Sequence, residues 1–238
     1  MDMTVVWINA AAVLVGSILG LLLKQKFTPK LSQAIMAALG LCTLGIGMTS
    51  LLQSKDGLCL ILCMVLGTLL GEWWDLERRM DGLGELIQQK LLKGKNGGRF
   101  AEGFATATVL FCVGAMTING AIQAGLNQDF DILLSKSVMD GVSSITYSAA
   151  MGIGVVFSII PILVYEGGLT LLAGVVGPLL DPAVINEMSA VGGCIIVGIA
   201  LNMLRLIGEK IRVANMLPAI FLPALYLPLM EIVTGTLG

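Results

Sequence analysis

Polar and acidic side chains are concentrated in one strongly apolar stretch of the chain, residues 100–150. A polar group that enters hydrocarbon without a hydrogen-bond partner is destabilising by several kcal/mol. A membrane segment with so many polar groups is therefore predicted to line a pathway for a small solute or an ion. The candidate residues of this pathway are Glu102, Thr106, Thr108, Cys112, Asn119, Gln123, Asp140, Ser143, Ser144, Tyr147 and Ser148.

The spacing of these residues places them on one face of each of two neighbouring helices. From Asp140 to Ser148 the polar residues recur at i, i+3, i+4, i+7 and i+8, which is one side of a helix. Asn119 and Gln123 are four residues apart and share a face of the preceding helix. In lipid such a stripe predicts either a cavity or a contact between helices, where hydroxyl groups also bond back to their own backbone.

The acidic residues of this stretch each have two interpretations. Asp140 follows Lys136 by four residues, which allows a surface ion pair, but an acid inside the membrane also binds a cation or relays a proton. Glu102 is expected at the cytoplasmic start of its helix, where an acid also complements the helix dipole. The lone amides Asn9 and Asn202 are expected to hold helices together rather than to bind a ligand.

The composition argues against several classes of function. Histidine, the commonest metal ligand and general base, is absent, and the five cysteines lie in apolar runs as small buried residues. The formal net charge of −2 gives no basic field for nucleic acid, and no ATPase motif is present. We therefore expect a protein that is not an enzyme and has no cofactor, no metal site and no nucleic-acid partner.

The elements that must position the polar residues are membrane helices. Of the 238 residues, 56% are hydrophobic and 13% are charged, against about 25% charged in soluble domains. Repeated apolar runs near the length of a membrane span predict an all-α integral membrane protein with a single membrane domain, residues 1–238. We predict eight spans, at residues 5–23, 33–52, 57–74, 101–123, 138–160, 167–180, 187–206 and 213–232.

Two of these spans, the first and the sixth, have unusual sequences. The first lacks a basic region before its apolar run and is therefore expected to be a retained span rather than a cleaved signal. The sixth is short and contains Pro178, which predicts a broken or half-buried helix.

Nearly all of the 14 lysines and arginines fall in loops that face the same side, and only Lys55 and Lys136 fall on the other side. This asymmetry predicts that both termini lie outside.

Residues 75–99 alternate charges with apolar residues at spacings of three and four. This pattern is typical of an amphipathic helix in the membrane interface, here on the cytoplasmic side. Trp73 and Trp74 precede it, where aromatic belts occur. The segment is interpreted as an interfacial brace, and a docking surface for a soluble partner is the alternative.

The helix pairs 1–2, 3–4 and 6–7 resemble one another in sequence. Gly16 and Gly20 in the first span match Gly67 and Gly71 in the third. The third pair is expected to run in the opposite direction, which predicts the inverted repeats that recur in secondary transporters. The alternative is that glycine- and leucine-rich helices resemble each other by composition alone. Such glycine faces also associate in lipid, which leaves a homo-oligomer open.

Two segments carry a resemblance to a known family. EGFATATVLFCVGAMTINGAIQ (102–123) and DGVSSITYSAAMGIGVVFS (140–158) resemble the signature segments of the YqgA/YdfK-like family of bacterial membrane proteins of unknown function. The resemblance extends over nearly the whole chain, including LGLCTLGIGM (39–48) and NMLPAIFLPAL (215–225). It implies a multi-pass protein of the bacterial cytoplasmic (inner) membrane, surrounded by membrane lipid. It implies no catalytic residues.

Two functions are therefore expected from the sequence. The first is a transporter or channel for a small solute or an ion, with a polar pathway between the fourth and fifth spans. The alternative is a structural or regulatory membrane protein that binds partners through residues 75–99.

Overall fold

The computed structural model describes residues 3–24, 28–80, 82 and 100–235, and within these ranges the regular secondary structure is helical throughout. This confirms the all-α fold class. Short 3₁₀ helices cover Ile153–Ser158, Gly177–Leu179 and Val213–Phe221. The α-helices are α1 (Thr4–Lys24), α2 (Pro29–Leu51), α3 (Gly57–Trp74), α4 (Phe100–Cys112), α5 (Ala115–Asn127), α6 (Asp131–Met151), α7 (Ile159–Leu171), α8 (Ala173–Val176), α9 (Pro182–Leu204) and α10 (Pro223–Gly235), with residues 76–80 also helical.

Short polar side chains determine where three of the long helices begin. Thr28, Asp56 and Asp181 each precede a helix and accept hydrogen bonds from backbone N–H groups two or three residues further on. Proline follows Thr28 and Asp181, where its missing N–H has no intrahelical partner to lose. The starts of α2, α3 and α9 are therefore encoded locally.

Within the described residues, six helices are long and apolar enough to cross a membrane, or seven if the bent pair α4–α5 counts as one span. The predicted spans 5–23, 33–52, 57–74, 187–206 and 213–232 each correspond to one of these six. α6 is as long but carries too many polar residues to qualify. The count of eight spans and the orientation with both termini outside remain predictions.

Three predicted spans have different boundaries in the structure. The fourth, 101–123, is broken: α4 ends at Cys112, α5 begins at Ala115, and the two are bent by 57°. The fifth, 138–160, is wrong at both ends, because the corresponding helix α6 runs from Asp131 to Met151. The helix stops at Gly152, because this residue has φ 91° and ψ −154°, a backbone conformation that glycine adopts readily. The sixth, 167–180, is also wrong.

The one of the six apolar helical segments not yet assigned is Ile153–Leu171. Only the short helices Ala173–Val176 and Gly177–Leu179 follow it before α9. Pro161 and Gly167–Gly168 are residue types at which a helix is often interrupted. Pro161 instead lies in the first turn of α7, where its missing N–H has few intrahelical bonds to remove, and both glycines lie inside the helix.

The long helices pack in two groups. In the first, α1 packs along α6, and α4, α5 and α7 pack around them. In the second, α2 packs along α9, and α3 packs along the 3₁₀ helix Val213–Phe221. Fewer contacts join the groups, and one of them brings Gly192 of α9 against Val113, at the break between α4 and α5.

Glycines allow the closest of these contacts. A Cβ on Gly16 of α1 would lie 2.2 Å from the carbonyl oxygen of Gly141 in α6, and a Cβ on Gly71 of α3 would lie 1.8 Å from the carbonyl oxygen of Asn215. In lipid, where van der Waals contact drives helix association, small residues permit this approach. The matching glycines of α1 and α3 thus have the same packing role, while the inverted repeat itself remains a prediction.

A buried carboxylate joins the α2–α3 loop to α9. Glu187 accepts hydrogen bonds from Ser54 Oγ at 2.7 Å, from the backbone N–H of Lys55 at 2.6 Å and from that of Asp56 at 3.0 Å. The sequence placed Glu187 at the very start of the seventh span, but it lies inside α9, which begins at Pro182, and is 3% exposed. Its three donors satisfy the charge, which makes it a structural anchor within the second group of helices.

Most of the predicted amphipathic segment 75–99 lies outside the described residues. Its start is held against the second group of helices. Glu77 Oε1 accepts from Lys210 Nζ at 2.7 Å, and the backbone N–H of Glu77 donates to Asn215 Oδ1 at 2.7 Å. The first turn after α3 is thereby joined to the segment that follows α9.

We expect Gly71→Ala to lower the stability of the protein, because the new Cβ meets backbone atoms that cannot rotate away. Overpacking of this kind is destabilising by about 1–3 kcal/mol. Gly45→Ala in α2 is the matched control, since nothing lies within 4 Å of its Cβ, and it should be neutral or stabilising by up to about 1 kcal/mol. Thermal unfolding in detergent measures both, and equal midpoints would contradict the packing described for α3.

Candidate functional site

Four polar side chains meet in the interior of the first group of helices. They are Asn9 from α1, Lys136 and Asp140 from α6, and Glu166 from α7. Asn9 and Glu166 are 0% exposed, Lys136 is 5% and Asp140 is 7%. Charged residues are almost never buried to this degree unless they are paired. We call these four residues the buried cluster.

The contacts within the buried cluster join three helices. Lys136 forms an ion pair with Asp140 and a second one with Glu166, at 3.1 Å from Nζ to Oε1. Asn9 Nδ2 donates to Asp140 Oδ2 at 3.1 Å and lies 3.0 and 2.9 Å from the two carboxylate oxygens of Glu166. Asn9 thus bridges both acids, while its own Oδ1 has no hydrogen-bond partner.

A fourth helix reaches the buried cluster through its backbone. Lys136 Nζ also donates to the carbonyl oxygen of Phe111, at 2.5 Å, one residue before α4 ends. The last carbonyl groups of a helix have no intrahelical donor, so the break after Cys112 makes this oxygen available. Gly114, at φ 155° and ψ 151°, adopts a conformation that is essentially limited to glycine and separates α4 from α5.

The charges of the buried cluster do not balance. It contains two carboxyl groups and one ammonium group, so a fully ionised cluster carries one net negative charge. An unbalanced buried charge is strongly destabilising, and one further proton or cation would neutralise it. Among the described residues, no group of three or more His, Cys, Asp or Glu could hold a metal ion. The arrangement therefore suits one further positive charge.

Of the predicted pathway residues, the buried cluster contains Asp140. The pair with Lys136 does form, but it is buried, so its interpretation as a surface pair was wrong. Asn9 holds helices together as expected and also contacts both acids. Asn202 joins its helix to the next loop through two hydrogen bonds with the backbone of Ile211.

Sequence reasoning missed Glu166. It falls between the predicted fifth span, 138–160, and the predicted sixth span, 167–180. Glu166 could have been found from its position as an acid inside the apolar segment Ile153–Leu171. An acid within such a segment is a candidate for function by default.

The other polar residues of α6 lie against neighbouring helices. Ser144 donates to the carbonyl oxygen of Gly141, and both atoms lie close to Gly16 of α1. Tyr147 shares a hydrogen bond of 2.7 Å with Thr43 of α2. Ser143 is half-buried, and Ser148 is buried with no hydrogen-bond partner for its hydroxyl group. Most of the stripe thus forms helix contacts in this structure.

The predicted residues of α4 and α5 are spread over different environments. Thr106 and Thr108 of α4 have buried hydroxyl groups without hydrogen-bond partners. Cys112 is buried beside Phe111. On α5, Asn119 is exposed, and Gln123 is half-buried and accepts from Asn127. Glu102 is half-buried in the first turn of α4.

A groove of about 380 Å³ opens at the ends of α2, α6 and α9. Along α6, Tyr147 lies between Asp140 of the buried cluster and Ala150 of the groove. Thr43, the partner of Tyr147, also contacts Met203 Sδ at 3.9 Å, and Met203 lines the groove. The Tyr147–Thr43 bond therefore joins α6 to α2 between the buried cluster and the groove. The groove is lined by Ser32, Gln33, Met36, Ala37, Ala150, Met203, Leu204 and Arg205.

Comparison with known proteins identifies relatives over almost the full length. The model of the family described as "Protein of unknown function (DUF554)" matches residues 4–227. The chain is 31% identical over 220 residues to the uncharacterized protein YqgA of Escherichia coli (strain K12), covering 91% of this chain and 92% of that protein. It is 28% identical over 218 residues to the uncharacterized membrane protein YdfK of Bacillus subtilis (strain 168), covering 90% and 91%. No solved structure matches significantly.

We expect Asn9→Ala to destabilise the protein, because it removes the amide that bonds both buried carboxyl groups. Buried acceptors left without a partner cost about 1–3 kcal/mol, and more when charged. Asn119→Ala, an exposed amide on α5, is the matched control and should change stability by less than about 0.5 kcal/mol. Thermal unfolding in detergent compares the two, and a small effect at Asn9 would show that the amide does not support the buried cluster.

Proposed function

Since the chain belongs to the DUF554 family of proteins of unknown function, we propose from its own buried chemistry that this membrane protein is a transporter or channel for a small solute or an ion. The observation that carries the proposal is the buried cluster of Asn9, Lys136, Asp140 and Glu166. We propose that it binds the transported or coupling cation, a proton included, in the bacterial cytoplasmic membrane.

Stability alone does not account for the buried cluster. Replacing a buried ion pair by apolar side chains of similar volume is often neutral or stabilising, since the charges must first lose their hydration. A cluster with one acid in excess is still less favourable. Ionisable residues within membrane segments are expensive, and they mark ion pathways and proton relays. Their presence on α6 and α7 is therefore best explained by transport.

The broken helix beside the buried cluster supports the same function. Transporter sites are typically formed where a membrane helix is interrupted, and the freed carbonyl groups of its half-helix face the bound cation. Here the carbonyl oxygen of Phe111 contacts the ammonium group of Lys136. The predicted pathway between α4 and α6, with Thr106, Thr108 and Ser143 along it, would reach the buried cluster from these helices.

The alternative function, a structural or regulatory membrane protein that binds partners through residues 75–99, remains a second proposal. Glu77 fixes the start of that segment to Lys210 and Asn215, which would give a docking surface a rigid base. Loss of co-purifying partners on deletion of residues 83–99 would favour this alternative. Neither proposal includes an enzymatic step or a cofactor.

Reconstitution in liposomes tests the transport proposal. We expect the purified protein to move protons or monovalent cations down an imposed gradient, as read by dyes enclosed in the liposomes. Asp140→Asn and Glu166→Gln should each lower the rate about tenfold or more, which corresponds to a barrier about 1.4 kcal/mol higher. Each variant removes one of the two acids of the buried cluster.

Asp131→Asn is the matched control, because Asp131 is an exposed acid in the first turn of the same helix, α6. Its rate should stay within about twofold of the unmodified protein. The proposal fails if the unmodified protein moves no ion or solute, or if both variants of the buried cluster transport as fast as Asp131→Asn.

A further inference from the structure

Lys136 occupies the position that a bound cation would take in the buried cluster. Its Nζ contacts three oxygens from three helices: the carbonyl oxygen of Phe111 in α4, Asp140 Oδ2 in α6 and Glu166 Oε1 in α7. An ammonium group has three donors, and all three are used here. Carboxylate oxygens and freed backbone carbonyls are also the ligands of monovalent cations in broken-helix sites.

The oxygens are anchored independently of Lys136. The carbonyl of Phe111 belongs to the helix backbone and also accepts from Thr117 Oγ1 at 3.3 Å. Asn9 Nδ2 bonds both carboxyl groups. The ammonium group, in contrast, sits at the end of a flexible four-carbon stem. The oxygen set therefore persists when the ammonium group leaves.

One further buried polar atom belongs to a residue of the buried cluster. Asn9 is fully buried, yet its Oδ1 has no hydrogen-bond partner among the described residues. A neutral amide oxygen of this kind is a good ligand for a hard cation. Replacing one ammonium group by one monovalent cation also leaves the formal charge of the buried cluster unchanged. A divalent ion would change it, and Mg²⁺ needs about 2.0–2.1 Å to each oxygen, closer than Phe111 and Glu166 lie to Nζ.

We propose that the ammonium group of Lys136 is a tethered substitute for a free monovalent cation, so that Na⁺ or K⁺ binds among these oxygens when the ammonium group is absent. This inference rests on the proposed function where it concerns transport. There, a cation that enters would exchange with the ammonium group of Lys136, so that entry of the cation is coupled to displacement of the ammonium group from the site. Its test measures binding to the purified protein and does not depend on flux.

The experiment compares the thermal unfolding midpoint of the full-length protein in detergent in NaCl, KCl, MgCl₂ and N-methylglucamine chloride at equal ionic strength. The unmodified protein should show a much smaller difference between the salts than Lys136→Ala does, because the ammonium group of Lys136 already occupies the site. Lys136→Ala should be less stable in N-methylglucamine and gain about 3–6 °C in Na⁺ or K⁺, as for a ligand near tenfold above its Kd. The gain should disappear in the double variant Lys136→Ala/Glu166→Gln.

Lys55→Ala is the matched control, because its side chain is exposed and its backbone contact with Glu187 is retained. It should behave as the unmodified protein does. Lys136→Gln provides a second variant with a polar, uncharged stem. Recovery of folded Lys136→Ala in Na⁺ or K⁺ only would support the proposal as strongly as a shifted midpoint.

Three results would overturn the proposal. They are equal midpoints of Lys136→Ala in every salt, stabilisation by Mg²⁺ alone, and failure of both Lys136 variants to fold in any of the four salts. Cation-dependent stability without flux in liposomes would keep the binding site and reject transport. Flux in liposomes without cation-dependent stability of the Lys136 variants would reject the cation-binding site and keep the transport proposal.

Discussion

The fold of the first group of helices depends on placing two buried acids around one buried lysine. Lys136, Asp140 and Glu166 are buried among the helices, where their charges lose most of their hydration. Their charges are tolerated only while each has a partner. α1, α4, α6 and α7 must therefore converge at one point, because each supplies an atom that the buried cluster needs. The break in α4 follows from the same requirement, since a continuous helix would hold the carbonyl of Phe111 in its own hydrogen-bond ladder.

Close helix packing accounts for most of the remaining polar residues. The serines of α6 that follow Asp140 lie where α1 and α6 meet at Gly16 and Gly20. A hydroxyl group is small enough for such a contact, and it satisfies itself on its own backbone, as Ser144 does. A polar stripe in lipid thus has two physical causes, a polar site and a close contact. On α6 both occur on one face, with the site in the half nearer Asp131.

Continuous apolar runs with local caps made much of the fold predictable from sequence. α1 and α3 follow the predicted spans closely, whereas α2 and α9 begin four and five residues earlier than predicted, directly after the caps Thr28 and Asp181. α6 was placed too late because Lys136 interrupts the apolar run. Only an ion pair formed in the folded protein allows that residue inside a helix bundle.

The candidate site was only partly predictable, for a similar reason. The i, i+4 spacing of Lys136 and Asp140 is visible in the sequence and indicated the pair. Their burial depends on partners far away in the chain: Asn9 lies 131 residues from Asp140 and 157 residues from Glu166. Periodicity contains no information about such distant contacts. The helix that carries Glu166 was also divided between the predicted spans 138–160 and 167–180, so Glu166 was placed in neither span.

The division of the helices into two groups bears on how a closed site could exchange with water. The buried cluster belongs entirely to the first group, whereas α2, α3 and α9 are held together by Glu187 and the glycine contacts. The hydrogen bond between Tyr147 and Thr43 crosses the boundary, and the groove opens along it. Movement of one group against the other would break this hydrogen bond and the packing of Gly192 against Val113, and would leave the ion pairs of the buried cluster intact. Rigid-body movement of this kind is how many transporters expose a fixed site. Among the described residues, the ion pairs of the buried cluster lie within one group and the Tyr147–Thr43 hydrogen bond between neutral side chains joins the two groups, which is the distribution that the proposed transport function requires.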